Sequence, residues 1–361
     1  MFHPLLGCDL WTLVRILKRN GFVPLKQVPY VTLMATASLL RSPFSVFETL
    51  LVSRSHTITA QMPDPIFIIG HWRSGTTFLY NLLSQAPHFA YVSPIATGLP
   101  WDFLTLATLL RPLLERALPQ DRRIDQVTVQ PDSPQEDEIG LANMQPLSYY
   151  HGLYFPRHFH ENFQAGIFLE GCPPDQVEEW KRALIYFCQK LYLQQRQRLI
   201  IKNPVYTARV ALLRSIWPQA KFIHIHRNPY IVFQSMKKFY RVLFQELALQ
   251  PYDLSEIDTV ILETYPRMMN QMFEETADLP AHQFIELRFD QFESDPLSQI
   301  HHIYTQLELD DFETANSCFT EYLQSQASYR KNCHSFSSES IELVQQYWQP
   351  FIERWHYEIP A

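Results

Sequence analysis

The chain has 361 residues, with 37 acidic against 30 basic side chains for a net charge of −7, and it is 46% hydrophobic and 19% charged. These values describe a globular protein, long for one hydrophobic core but within reach of a single α/β domain with insertions. The negative balance argues against a general nucleic-acid binder, although a local basic cluster would still serve a small anion.

Residues 1–61 are expected to be mostly helical, closed by the break QMPDP at 61–65. No signal-peptide pattern opens the chain, since His3 and Asp9 interrupt its start and no small-residue cleavage site follows. The stretch VPYVTLMATASLL at 28–40 is apolar but too short to span a bilayer. Residues 10–52 are either core helices or an amphipathic surface that rests on a membrane or guides a greasy substrate. Five widely spaced cysteines, Cys8, Cys172, Cys188, Cys318 and Cys333, form no C-x-x-C pair, which points to buried thiols in a reducing compartment.

Residues 66–69 form a short apolar run, expected to be a buried strand, and a helix is expected from Thr76 to the stop at Pro87. WDFLTLATLLRPLLERAL at 101–118 predicts a helix broken near Pro112, and PDSPQEDE at 131–138 a loop entering a helix with an acidic first turn. A helix is predicted over 175–195, a strand in RLIIKNP at 198–204, and a short helix over 207–216. KFIHIHRNP at 221–229 predicts a further strand and turn, 230–245 a helix, and FIELRF at 284–289 another strand, with mainly helix beyond. Strands alternating with helices predict a central parallel sheet flanked by helices, with ligands at the carboxyl ends of the strands. Three of those ends carry polar turns: GHWRSGTT, KNP and HRNP.

IFIIGHWRSGTT at 66–77 outlines a phosphate-binding loop in which Thr76 stands where a nucleotide triphosphatase has lysine. Gly70 and Gly75 allow a tight turn; Ser74, Thr76 and Thr77 add hydroxyls; the helix start offers backbone N–H groups to an anion; Arg73 supplies positive charge. No metal-binding aspartate follows the strand at 221–226, which ends in His226 and is followed by Arg227. Arg227, with Ser235 eight residues on, makes a second site for an anionic group, so a nucleotide with two separated anionic groups would fill both.

PIFIIGHWRSGTTFLYNLL and KFIHIHRNPYIVFQS resemble the two nucleotide signatures of the sulfotransferases, closest to the bacterial and Golgi-type branch. The resemblance is firm over roughly 65–90 and 198–240 and weaker elsewhere. It implies a P-loop-like sulfotransferase fold, with residues 1–61 as a helical extension, 62–361 as the sulfotransferase domain and 95–170 as an acceptor-binding insertion. It implies 3′-phosphoadenosine 5′-phosphosulfate (PAPS) as sulfuryl donor, without metal. Carried over by position, Arg73, Ser74, Gly75, Thr76 and Thr77 would bind the 5′ end, and Arg227 and Ser235 the 3′-phosphate. Arg330 and Lys331, in SYRKNCHSF, would close on that phosphate, although a charged pair in a polar turn is usually just solvated. RFDQFESDP at 288–296 also looks like a family segment and is read as structural. Departures are His71 and Trp72 inside the loop and Asn228 in place of the usual aspartate; neither removes an anion donor.

The reaction implied is in-line sulfuryl transfer, a matter of positioning and charge stabilisation. Arg73, with Lys202 at the end of RLIIK, would neutralise charge on the leaving nucleotide; Lys202 as a plain surface lysine is the alternative. Glu136 is the first candidate for the base, since the family has a similar S-P-x-E-D-E segment; Asp137, Glu138 and His71 are alternatives, and a carboxylate that only stabilises the helix dipole is the other reading. His224 and His226 share a strand face and are expected to pack; His151, His158 and His160 lie close together without a clear metal partner set.

Aromatics crowd 95–118 and 143–170 (Trp101, Phe103, Tyr149, Tyr150, Tyr154, Phe155, Phe159 and Phe163), favouring a hydrophobic or lipid-like acceptor bearing a hydroxyl or amine, with a carbohydrate or simple helical packing as alternatives. The location expected is cytoplasmic, with peripheral membrane contact through the N-terminal helices as a further option. Two rivals stand beside a sulfotransferase: a P-loop kinase or triphosphatase, against which the missing lysine counts, and a non-catalytic binder of PAPS or its product.

Overall fold

Four hydrophobic residues with no polar neighbour between them, Ile66–Ile69, form strand β1, and all four are buried. The computed structural model describes residues 3–21, 23–117, 133–326 and 336–360. Around β1 a five-stranded sheet runs in the order β2-β3-β1-β4-β5, with β2 Phe89–Ala90, β3 Arg198–Lys202, β4 Lys221–His226 and β5 Phe284–Arg288. The pairs β3–β1, β1–β4 and β4–β5 are parallel. β1 and β4 are buried along their whole length, as parallel strands covered on both faces require, whereas the end strand β5 alternates buried and half-buried positions. β3 and β4 lie on opposite sides of β1, so the strand order reverses there and the turn leaving β1 opens at the switch point. Register puts Lys202 level with Ile68 and Arg288 level with His226.

The chain divides into two units. The second, Asp64–Phe89, Ile200–Val242 and Leu254–Ala361, holds the strand-to-turn segments described above. Its helix Ile257–Thr276, for which no sequence signal was singled out, tolerates Pro266 inside it and stacks Tyr265 on Trp348 of the helix Ser338–Arg354 at 4.1 Å. His224 and His226 pack as expected. The His224 ring pairs with Glu286 at 2.9 Å, and the His226 ring stacks on Trp355 at 4.2 Å.

The first unit, Met1–Pro63, Ala90–Leu199 and Leu243–Asp253, is built of helices. Asp9 caps the helix Leu10–Asn20 by accepting from the N–H groups of Trp11 and Thr12. The helix Val28–Arg54 follows, and Pro174–Gln195 is one unbroken helix of 22 residues. Two short helices, Leu106–Leu109 and Arg111–Ala117, occupy the stretch expected to break near Pro112. The break falls at Leu110, and Pro112 sits in the first turn of the second helix, where its missing N–H costs nothing. Cys8, Cys172, Cys188 and Cys318 are free thiols, and Cys333 lies outside the described residues.

Candidate anion-binding site at the β1 and β4 turns

The turn after β1 depends on backbone that few residues tolerate. Gly70 has φ 137° and a Cβ there would overlap the Ile225 carbonyl of β4. Gly75 has φ 96° and its missing Cβ makes room for the ring of Phe289. Between them Arg73 adopts the left-handed region, φ 69°, uncommon for a side chain of its size and characteristic of functional turns. The turn is anchored from the next segment, for the Gly70 N–H donates to Thr207 Oγ1 at 2.8 Å.

The helix Thr76–Leu83 starts directly from Gly75, with no side chain capping it and no acidic residue in its first turn. Its first N–H groups and its dipole therefore favour an anion. Ser74 and Thr76 are nearly buried, at 1% and 3% exposure. Lys202, 1% exposed at the tip of β3, donates to Thr77 Oγ1 at 3.4 Å. A lysine is thus delivered to the loop from the neighbouring strand, although the loop sequence lacks one.

The turn after β4 joins the first. Arg73 Nε donates to Ser235 Oγ at 2.8 Å, and Ser235 lies on the helix Pro229–Leu247 that follows Arg227. Phe289 connects them a second time: it fills the space left by Gly75, and the Arg227 guanidinium lies 4.4 Å over its ring. Arg73, Ser74, Gly75, Thr76, Thr77, Lys202, Arg227 and Ser235 are accordingly gathered within the second unit at the tips of β1, β3 and β4. Lys331 and Arg330 lie outside the described residues. Asn228, the departure from aspartate, accepts from the Tyr230 N–H at 3.1 Å and donates to the Glu358 carbonyl at 2.8 Å, a pair of bonds that a carboxylate cannot make.

Phe289 and Thr207 were missed as site residues. Phe289 belongs to RFDQFESDP, whose resemblance was noticed and read as structural. Thr207 follows the KNP turn without any motif of its own.

His71 is 2% exposed, its Nδ1 lies 3.0 Å from the Trp72 carbonyl, and its ring meets Tyr265 at 5.0 Å. Burial pushes its pKa down to about 4, so it packs the loop as a neutral ring.

Glu136 belongs to the first unit. Gln135 N–H donates to the Val92 carbonyl at 2.8 Å, fixing the approach to the segment, and Asp137 ends it at the start of the short helix Glu138–Leu141. Glu138 accepts from Ser148 Oγ at 2.6 Å. Asp137 and Glu138 are fully buried, while Glu136 keeps 8% exposure. Of the expected acceptor aromatics, Tyr149, Tyr154, Phe155 and Phe163 are wholly buried and make ring contacts such as Tyr149 on Tyr150 at 4.6 Å, so they pack the helices. A cavity of about 260 Å³ in the same unit takes Phe103 from that set, together with Tyr91, Thr108 and Gln195. The His151 ring sits 2.8 Å from the Ala142 carbonyl in the core, and His158 faces Glu161 at the surface. Among the described residues no group of three or more His, Cys, Asp or Glu gathers as a metal site.

Comparison with known proteins shows the family and the fold. The sulfotransferase family model matches residues 65–314. Two curated relatives, the omega-hydroxy-beta-dihydromenaquinone-9 sulfotransferases Stf3 of Mycobacterium bovis and Mycobacterium tuberculosis, are each 30% identical over 353 residues, 98% of this chain and 90% of theirs. In fold the chain is similar to sulfotransferase STF9 from Mycobacterium avium, with TM-score 0.66 and 17% identity over 85% of this chain and 81% of that one. It is also similar to STF1 from Mycobacterium tuberculosis, with TM-score 0.62 and 14% identity over 94% of this chain and 90% of that one. The chain belongs to the sulfotransferase family and is an enzyme of the PAPS-dependent class.

Proposed function

We propose that this enzyme transfers a sulfuryl group from PAPS to a hydroxyl of a hydrophobic lipid, of the kind represented by a hydroxylated isoprenoid quinone, on the cytoplasmic side of a membrane. One observation carries the donor assignment: Arg73 Nε bonded to Ser235 Oγ at 2.8 Å, which ties the two anion-holding turns into one site. The residues present suit such a donor. Two left-handed glycines let the backbone approach an anion, the helix beginning at Thr76 is uncapped, and no carboxylate competes in its first turn. The acceptor class is supported by the substrate for which the 30% identical relatives are named and by the apolar character of residues 10–52.

PAPS, when bound, supplies the sulfuryl group and departs as 3′-phosphoadenosine 5′-phosphate (PAP). Ser74, Gly75, Thr76 and Thr77 would hold the 5′ end with hydroxyl and backbone donors, and Arg227 and Ser235 the 3′-phosphate; Lys331 is added to that site by resemblance alone. Arg73 and Lys202 would stabilise negative charge on the leaving oxygen as the sulfur–oxygen bond to the nucleotide breaks and the bond to the acceptor oxygen forms. Their charge takes the place that magnesium has in phosphoryl transfer, so no metal is invoked. We assign the acceptor proton to Glu136. Among the three adjacent carboxylates it alone keeps accessible surface, and Glu138 is already occupied by Ser148. Residues 1–61 are proposed as the helical extension and 95–170 as the acceptor-binding region.

The test is incubation of purified protein with sulfur-labelled PAPS and a membrane lipid extract, with mass spectrometry of the labelled products. A sulfated lipid is expected; label only in polar metabolites removes the lipid assignment, and no label anywhere removes the transfer itself. Glu136→Gln and Lys202→Ala should each lower kcat by roughly a hundredfold or more while leaving PAP affinity within a few-fold. Unchanged kcat in both contradicts their roles.

A further inference from the structure

The helix Val28–Arg54, 27 residues and about 40 Å long, is folded with its polarity reversed. Leu33, Leu40 and Phe47 recur every seven residues, and Leu39, Val46 and Leu50 follow the same face at spacings of seven and four. All six are exposed, between 49% and 72%. The inward side buries Met34 and Val52 and carries charges beside them. Glu48, fully buried, pairs with Lys190 at 2.7 Å, and Arg41 pairs with Asp102 at 2.6 Å. Ser38 donates to the Cys8 carbonyl at 2.7 Å. An ordinary surface helix does the opposite. Holding two ion pairs inside the unit fixes this face outward and leaves it without any acidic side chain.

More apolar surface belongs to the same unit. Thr105 donates to Glu48 Oε1 from both its N–H, at 2.7 Å, and its hydroxyl, and so ties the next segment to this helix. That segment presents Leu109 and Leu113, at 72% and 62% exposure. Trp11, 70% exposed, stands on the helix Leu10–Asn20. Charge indicates what covers these residues. From Leu10 to Arg54 there are six basic residues, of which Arg15 and Arg41 are paired with Glu179 and Asp102, and one acidic residue, the buried Glu48, in a chain whose net charge is −7. Lys18, Lys26 and Arg54 are exposed. Two copies joined through this face would bring like charges together. An anionic bilayer would meet apolar side chains and basic rim alike, with tryptophan suited to the interface.

We propose that this face is an interfacial membrane-binding surface for bilayers carrying anionic headgroups, with the helix Val28–Arg54 lying in the plane of the membrane. Among the described residues no helix is long and apolar enough to cross a membrane, and the assignment is to a surface contact. It stands apart from the identity of the acceptor, since binding to vesicles requires neither PAPS nor acceptor.

The experiment is flotation of the full-length protein with vesicles of phosphatidylcholine and phosphatidylglycerol in equal parts, beside vesicles of phosphatidylcholine alone. The wild type should float with the mixed vesicles and several-fold less with the neutral ones. Leu40→Glu/Phe47→Glu/Leu50→Glu should lose binding by on the order of tenfold or more. Lys18→Glu/Lys26→Glu, which leaves the apolar face intact, should weaken binding to mixed vesicles several-fold, an effect that rising salt suppresses. Circular dichroism melting checks that each variant folds; if the triple variant does not, the lysine pair and the neutral vesicles decide. Wild type that does not float, variants that float equally well, or a wild-type dimer that the triple variant turns into monomer would overturn the proposal.

Discussion

At the tips of β1 and β4, donors are gathered where a turn meets a helix start, and neither following helix carries an acid in its first turn. Along Val28–Arg54 the charges turn inward, as Glu48 with Lys190 and Arg41 with Asp102, and the apolar side chains turn out. The first arrangement concentrates positive potential for an anion that arrives with the ligand. The second neutralises its charges internally and leaves hydrophobic surface unsatisfied. We read the first region as fitted to a doubly anionic nucleotide and the second as fitted to an apolar surface.

The largest expected effect tests the inward charges. Lys190, pulled down to about 8 by burial, lies against Glu48, and Lys190→Met would leave that carboxylate buried without a counter-charge. Unfolding in urea should show a loss of about 3–5 kcal/mol, largely recovered in Glu48→Gln/Lys190→Met. Equal losses in the single and double variants would mean that the pair is not the cause.

The β1 turn uses the opposite device, a buried ring kept neutral. The pKa of His71 is depressed to about 4 against an ordinary 6.5, so as pH falls the unfolded chain takes up its proton first. Its contribution to stability is intact above pH 6.5, falls between 6.5 and 4, and amounts to about 3 kcal/mol. In His71→Gln the decline over that window should be shallower than in wild type by that amount; parallel curves would show that His71 does not carry it.

Next comes Gly75→Ala. With φ 96° and Phe289 filling the place of its Cβ, the variant should lose about 2 kcal/mol of stability and bind PAP more weakly. An unperturbed variant would show that Phe289 yields easily. The smallest effect belongs to Ser235→Ala, which removes one hydroxyl from the junction of the two turns and should cost about 1 kcal/mol of PAP affinity by calorimetry.

Most of the proposed nucleotide site was legible because its signals are local. A glycine five residues before another, at the end of an apolar run, determines turn and helix start together, and Arg227 with Ser235 follows one strand end. The strands β1, β3, β4 and β5 announced themselves as short β-branched runs between polar turns. The two-residue β2 is too short to leave a pattern, and Ile257–Thr276 was obscured by Pro266. Lys202 was legible as the last residue of its strand, yet that it meets Thr77 depends on the crossover placing β3 beside β1, which no spacing reveals. Phe289 was illegible for the same reason: its role lies in the space left by Gly75 and under Arg227, more than sixty residues away in each case. The reversed helix was half legible. Its apolar content was plain, but periodicity alone does not say which face is inside, and the partners of Glu48 and Arg41, Lys190 and Asp102, lie more than sixty residues away.

The central claim is that the turns after β1 and β4 grip opposite ends of one nucleotide, and calorimetric titration of PAP into wild type, Arg73→Ala and Arg227→Ala tests it most directly. Each variant should lose about 2 kcal/mol or more, roughly thirtyfold in affinity, through loss of charge-assisted hydrogen bonds. Affinity unchanged in both would contradict the shared site.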